Sequence, residues 1–437
     1  MLFRQLWPSL SVLLLLVGIG LREPAVAAVG ALVLFAGGLS HLWSRLALER
    51  LEYRRQLPEH RAFVGETIEV RYSLSNRKAL PLPWVEVREY VPDSLPALDA
   101  HAAPSARPGS LQVDRSTSLA WYERVSWRHR FLCRQRGYYP FGPALLRSGD
   151  VFGLFPVEGE APARHYVTVL PRLADLPELG LPAERPFGEA RSGTRLFEDP
   201  SRILGLRDYR PGDPLKRIDW KATARRRALQ SRVYEPSASL YLLLALNVDT
   251  FAQSWEGYDP VLLERAVTVA GSVARWAEGR RYAVGLVANS SVPGADRPIT
   301  VPPGRDPDQL TRVLEALAMV APFTIAPLAS VLAETARHLP MGATVVAVAG
   351  FPSEGLTDRL ERLARRGHPT TLLWVGDEPP PACERVRLYN LAAVMRRIER
   401  EWLAAGGGPR RAGAPVSPED GAQREEADPI RRWARPT

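Results

Sequence analysis

Residues Ser239 to Val248 read Ser-Leu-Tyr-Leu-Leu-Leu-Ala-Leu-Asn-Val, a near-continuous apolar run too short for a long helix. A strand buried on both faces has this composition. The segments downstream of it decide the fold. Pro260 to Glu278 carries Leu262, Leu263, Ala266, Val267, Ala270, Val273, Ala274 and Ala277 on one broad face and stops at Gly279, as an amphipathic helix does. Strands are then expected at Tyr282–Ala288, Thr344–Ala349 and Thr370–Val375. Helices are expected at Asp308–Met319, Leu328–Leu339, Leu356–Arg366 and Leu391–Leu403. This alternation predicts an α/β domain, a doubly wound parallel sheet, over 237–404. Ligands of such sheets gather at the carboxyl ends of the strands. Asn247 and Asp249 stand at the end of the first one. They either offer oxygens to a hard cation or cap loop backbone groups.

Just upstream, over 201–236, lies the densest charge in the chain. Gly205 to Pro236 reads Gly-Leu-Arg-Asp-Tyr-Arg-Pro-Gly-Asp-Pro-Leu-Lys-Arg-Ile-Asp-Trp-Lys-Ala-Thr-Ala-Arg-Arg-Arg-Ala-Leu-Gln-Ser-Arg-Val-Tyr-Glu-Pro. Pro211-Gly212 signals a turn. Asp213 sits as an N-cap with Pro214 at the first helical position, and the spacing of Leu215, Ile218 and Ala222 predicts one short helix to about Ala224. Arg207, Asp208, Tyr209, Arg210, Gly212, Asp213, Lys216, Asp219, Trp220 and Lys221 are the candidate interaction residues. Only three of the 57 basic residues are lysine, and two of them, Lys216 and Lys221, fall here. Either these charges pair among themselves and brace the fold, or some of them meet a partner.

The chain has 437 residues and a formal charge of +9, with arginine spread throughout. A basic chain beside a membrane meets anionic head groups. Without a helix-turn-helix, zinc-knuckle or RNA-binding aromatic signature, no nucleic-acid partner is expected. Cys133 and Cys383 form no disulfide framework. Two apolar runs, Leu6–Leu21 and Ala25–Trp43, flank Arg22-Glu23-Pro24 and predict a transmembrane helical hairpin over 1–46. Gly30, Gly37 and Gly38 would let its helices approach closely. The exit carries Arg45, Arg50, Arg54 and Arg55, the N-terminus Arg4, and the connection only Arg22. The positive-inside rule then places both ends and the globular part in the cytoplasm of a multi-pass protein of the cell membrane.

Over 50–172 the pattern turns strand-like. Phe63–Leu74, Trp84–Val91, Trp127–Phe131 and Tyr166–Leu170 alternate with period two, which predicts a small β-sandwich. Ala97–Ser110 reads as a mobile loop, and Gly137–Pro143 and Asp150–Phe155 as packed aromatic turns. Residues 173–200 read as a linker or long surface loop and 405–437 as a disordered tail.

The seven histidines show no ligand-like spacing with one another, with Cys or with Glu, and no phosphate-binding loop or nucleophile elbow is present. This speaks against an NTPase or a common hydrolase. Asp208, Asp213 and Asp219 leave a carboxylate-dependent hydrolase or modifying enzyme as the alternative, and a purely structural membrane component as another. Oligomeric state is not readable.

Arg207-Asp208-Tyr209-Arg210-Pro211-Gly212-Asp213-Pro214, with Ile218-Asp219-Trp220-Lys221-Ala222-Thr223-Ala224, resembles the signature of the domain of unknown function 58 family. Arg136-Gly137-Tyr138, the Asp150–Phe155 run and the order of parts match its pattern too. The resemblance implies that the α/β part is similar to a von Willebrand factor A domain. It also implies a MoxR-type AAA+ ATPase as partner of a membrane-anchored protein whose activity is undefined. In such domains Mg²⁺ is held by an Asp-x-Ser-x-Ser element, a Thr and a later Asp. Here Asn247, Asp249 and Phe251 stand at the first element, Thr324 matches the Thr, and Gly350-Phe351 stand at the last. This degenerate set implies no tight metal site, and no cofactor is expected.

Overall fold

The computed structural model describes residues 2–182, 184, 186–187, 198–211, 213, 215–236, 240–252 and 257–404. Gly212, Pro214 and the expected tail 405–437 lie outside them. The chain divides into two compact units, Met1–Arg172 with Trp402–Thr437, and Leu173–Glu401.

In the first unit, α1 (Leu2–Gly20) and α2 (Pro24–Ala47) run antiparallel. Small residues set their spacing. A Cβ on Gly18 would stand 2.3 Å from Ala27 N, and one on Gly30 2.6 Å from Leu15 N, so backbones meet directly there. Gly37 makes room for the Trp7 ring. Among the described residues, α2 alone is long and apolar enough to cross a membrane; the apolar part of α1, Trp7–Gly20, is shorter.

Three sheets come next. The first orders β1 (Leu51–Gln56), β3 (Thr67–Asn76) and β7 (Arg124–Leu132). The second orders β10 (Val157–Ala161), β9 (Ala144–Ser148), β4 (Leu82–Pro92), β6 (Ser110–Leu119) and β5 (Ala102–Pro104). The third orders β2 (Arg61–Phe63), β11 (His165–Leu170) and β8 (Gly137–Phe141), with β2 parallel to β11. Period-two alternation does what it should in β3, where Ile68, Val70, Tyr72 and Leu74 all point into the core. The expected strand Phe63–Leu74 is interrupted, because Gly65 adopts φ 96° and turns the chain between β2 and β3. The expected mobile loop Ala97–Ser110 contains β5, paired to β6, and the expected turn at Gly137 is strand β8.

The second unit begins with residues expected to be a linker. Leu176, Leu179 and Leu181 are buried, and Ala174 N donates to Ser272 Oγ at 2.9 Å. The stretch is therefore anchored by packing up to Leu181. Next, β12 (Glu198–Asp208) and β13 (Gln230–Pro236) form an antiparallel two-stranded ribbon. Between them lie a single 3-10 turn (Leu215–Arg217) and α3 (Trp220–Arg226).

The α/β sheet orders β16 (Ile299–Gly304), β15 (Ala283–Ala288), β14 (Tyr241–Leu246), β17 (Thr344–Ala349), β18 (Thr370–Trp374) and β19 (Arg387–Asn390). All pairs are parallel except β15 with β16. On one face α4 (Pro260–Gly279) and α5 (Gln309–Ala318) cover the sheet. On the other, α6 (Leu328–Thr335) and α7 (Leu356–Arg365) bury Leu332, Leu360 and Leu363 against Leu243, Val345, Leu372 and Trp374. The last helix is α8 (Ala392–Ala404). Central strands covered on both faces require the continuous apolar runs the chain supplies.

Candidate functional site

The ribbon and α3 hold the charged stretch. The single helix expected from Asp213 does not form. Asp213 is instead taken by the strand before it: Arg207 Nη2 donates to Oδ1 at 2.7 Å and Arg210 N to Oδ2 at 3.0 Å. The N-cap is Asp219, whose Oδ1 accepts from Ala222 N at 2.9 Å while Oδ2 accepts from Arg232 Nε at 3.0 Å. Ile218 is buried and bridges to Ser231, so the chain must unwind before α3 begins. At the far end Arg227 takes a left-handed φ of 54° and closes the helix.

Gln230 ties these parts together. It is fully buried; its N donates to Thr223 Oγ1 at 3.0 Å and its Nε2 to Asp208 Oδ1 at 2.6 Å. Its carbonyl accepts from Asp219 N at 2.9 Å, and Tyr209 N donates to Leu229 O at 2.9 Å. All three aspartates are thus occupied by internal hydrogen bonds. The Arg207 hydrogen bond first, then Arg210 N, holds the Asp213 carboxyl below its ordinary range. Ala222 N first, then Arg232, does the same for Asp219. A general acid working near neutrality needs the opposite shift.

Depressed carboxyl values carry a sign. Their stabilisation is present above the ordinary carboxylate range and fades as pH falls through the depressed values. Asp219→Ala at neutral pH should imitate that loss, with faster amide hydrogen exchange over Ala222–Arg226 than in the parent. Unchanged exchange there would show that the cap does not hold α3.

The charges left over from the internal pairing face solvent. Arg210, Lys216 and Lys221 are exposed, and among the described residues none of their side chains forms an ion pair or hydrogen bond. Leu215 is 71% and Trp220 67% exposed beside them. Large apolar side chains interleaved with unpaired cations are what a contact patch needs.

A second cluster sits at the carboxyl ends of β14, β15 and β17. Asp249 Oδ1 accepts from Thr324 Oγ1, and Oδ2 from Ser353 Oγ at 2.6 Å and Asn289 Nδ2 at 3.3 Å. Asn247 Nδ2 donates to Ser353 Oγ at 2.7 Å, and Asn247 Oδ1 accepts from Asn289 Nδ2 at 2.9 Å. Asn289 Oδ1 accepts from Val248 N at 2.8 Å. The sheet thus brings Asn247, Asp249 and Thr324 together, with Ser353 near the expected last position. The residues do not fit a dedicated Mg²⁺ site. One carboxylate is the sole anion, and the hydroxyls and amides that would surround the ion already satisfy one another. Among the described residues no group of three His, Cys, Asp or Glu could hold a metal. Asn289 and Ser353 escape sequence reading because their roles need partners 42 and 104 residues away.

Below this edge, α6 and α7 form an open groove of about 440 Å³ lined by Ser330, Glu334, Arg337, Gly355, Arg359 and Arg362, among others. Arg337, Arg359 and Arg362 form no ion pair among the described residues. Burial first, then the neighbouring charges of Arg362, Arg366 and Arg337, pushes Arg359 down.

Comparison with known proteins gives a family match over part of the chain. Residues 205–379 match the family model described as "Protein of unknown function DUF58". The "Uncharacterized protein YeaD" of Bacillus subtilis (strain 168) is 24% identical over 216 residues, 49% of this chain. The match spans 51% of YeaD, so this chain covers about half of that relative's length. Solved structures overlap only weakly. The CARDB domain of the PF1109 protein from Pyrococcus furiosus is 16% identical, with 27% of this chain and 91% of that chain covered at a TM-score of 0.19. A cohesin module from Clostridium perfringens is 11% identical, with 27% and 96% covered, also at 0.19. Overlaps this slight carry no argument about this chain.

Proposed function

We propose that this chain, matched over residues 205–379 to a family of unknown function, is a membrane-anchored docking protein. In this reading α1 and α2 cross the membrane as a hairpin, and the β-rich part of the first unit and the second unit face the cytoplasm. The α/β sheet is a von Willebrand factor A-like domain without its metal. The partner presents an acidic surface, and a MoxR-type AAA+ ATPase is the kind of protein expected to do so. One observation carries the proposal. Once Asp208, Asp213 and Asp219 are paired internally, the ribbon still exposes Arg210, Lys216 and Lys221 around Trp220 and Leu215. The same pairing engages Asp208, Asp213 and Asp219, the carboxylates on which the hydrolase alternative rests.

The test is recovery of the partner from native membranes after cross-linking, with Lys216→Glu and Lys221→Glu combined. Reversing two contact charges should weaken capture by about tenfold, equivalent to roughly 1.4 kcal/mol. Among the described residues the two lysine side chains make no bond, so thermal stability should stay at the parent value. Equal recovery from parent and variant membranes would remove the docking role from this patch.

A further inference from the structure

We propose that the β-rich part of the first unit rests on the bilayer beside α2, with the Val151–Leu154 turn inserted among the acyl chains and Trp121 and Tyr122 at the head groups. The proposal rests on the reading that α1 and α2 cross the membrane.

Exposed large apolar side chains in this part of the chain cluster in two places. Between Leu48 and Arg172 they are Leu98, Trp121, Tyr122, Val151, Phe152 and Leu154. Five of these six belong to two turns, and both turns are tied to the end of α2. Scattered single residues would need no explanation, but a clustered apolar surface does.

The 150–155 turn is built to hold its side chains outward. Asp150 is buried; its Oδ1 accepts from Phe155 N at 2.7 Å and its Oδ2 from Phe152 N at 3.0 Å. Trp84 Nε1 donates to the Asp150 carbonyl at 3.0 Å, and Gly153 takes φ 69° to complete the bend. This leaves Val151 58%, Phe152 72% and Leu154 42% exposed. Phe155 alone points back, to the helices. Its ring lies 5.8 Å from Trp7 and 5.4 Å from His41, edge-on to both, and its carbonyl accepts from Ser44 Oγ.

Those contacts fix the depth. The uncharged stretch of α2 runs from Pro24 to Ser44, about 31 Å at 1.5 Å per residue, against a hydrocarbon core of about 30 Å. His41 and Ser44 therefore mark one boundary of that core, and Phe155 holds the turn at their level. The second turn is tied further out. Lys78 Nζ donates to the carbonyls of Ala47 and Glu49, and Tyr122 N donates to Lys78 O at 3.3 Å. The order along α2 is then Phe, Val and Leu at the hydrocarbon edge, with Trp and Tyr beyond it, as these side chains partition.

The test places an environment-sensitive fluorophore at Phe152→Cys, Leu32→Cys and Leu98→Cys in turn. The background is the full chain with Cys133→Ala and Cys383→Ala, in phosphatidylcholine and phosphatidylglycerol vesicles. Leu32 lies on the exposed face of α2, and Leu98 is the exposed apolar residue outside both turns. Emission from position 152 should shift to the blue, be quenched by a nitroxide high on the acyl chain, and ignore aqueous iodide. Position 32, about 14 Å deeper along α2, should also shift to the blue and ignore iodide but be quenched best by a nitroxide near the end of the acyl chain, and position 98 should answer only to iodide. Iodide quenching at 152 with lipid quenching at 32 would overturn the inserted turn and leave the hairpin standing. Iodide quenching at both would overturn the hairpin and the turn together.

Discussion

Glu89→Ala should cost the first unit about 3–5 kcal/mol, because it leaves a guanidinium buried without its counter-charge. Arg55 and Glu89 are each 4% exposed. Arg55 Nη2 donates to both Glu89 oxygens, at 2.7 and 2.8 Å, while Nη1 donates to Phe141 O at 2.9 Å and Ala163 O at 3.0 Å. Tyr53 donates its hydroxyl to Glu89 Oε1, and burial first, then the Glu89 charge, pushes that phenol well above its usual range. The tyrosine thus remains a donor at any working pH. One guanidinium stitches β1 to the end of β8 at Phe141 O and to the segment just before β11 at Ala163 O. A loss of this size is a large share of the 5–15 kcal/mol that a domain usually has. The midpoint of thermal unfolding should fall by roughly 6–20 °C. Arg55→Met with Glu89→Leu should recover much of the loss, since a packed apolar pair escapes the desolvation cost. A single Glu89→Ala variant with an unchanged midpoint would show that the pair does not hold the sheets.

Arg55 also shows where sequence reading stops. Counted along the chain, it is one more basic residue after an apolar helix; in the fold it is the buried centre of a sheet junction. The α/β half was legible because each central strand is a run of apolar residues and each helix repeats at helical spacing. Edge strands β16 and β19 were not, since each has residues facing water and their pairing depends on distant neighbours. The β-rich part was legible in β3, β4, β7 and β11, where one face is dry. Short strands such as β5 and β10 are read only once their partners are known. In the charged stretch the N-cap expected at Asp213 forms at Asp219 instead. Arg207, six residues before Asp213, takes that carboxylate, and Arg232, thirteen residues after Asp219, secures the other. The exposed patch of Lys216, Trp220 and Lys221 was legible as a composition anomaly. The hydroxyl and amide shell of Asp249 was not, because four loops contribute to it.

Gly376→Ala should disrupt that shell from behind. Gly376 lies just past β18, and a Cβ there would stand 1.9 Å from the carbonyl oxygen of Gly350, at the end of β17. Gly350 cannot retreat, since on its other side a Cβ would stand 2.5 Å from Leu262 Cδ1 of α4. Val375 N donates to Ala349 O at 3.0 Å and holds the two strand ends in register. The clash of the new Cβ is with backbone, so no side-chain rotation at Gly350 relieves it. The cost should reach about 3 kcal/mol or more, the upper end for overpacking. The displaced segment leads directly to Phe351 and Ser353, so Asn247 loses the Phe351 carbonyl and Asp249 the Ser353 hydroxyl. The expected readings are a midpoint lowered by roughly 6–12 °C and faster amide exchange across the loops after β14 and β17. Gly279→Ala supplies the contrast: nothing lies within 4 Å of a Cβ at the end of α4, so this change should be close to neutral. Equal midpoints for the two alanine variants would mean that the strand ends can part without loss, and that the Asp249 cluster does not depend on their contact.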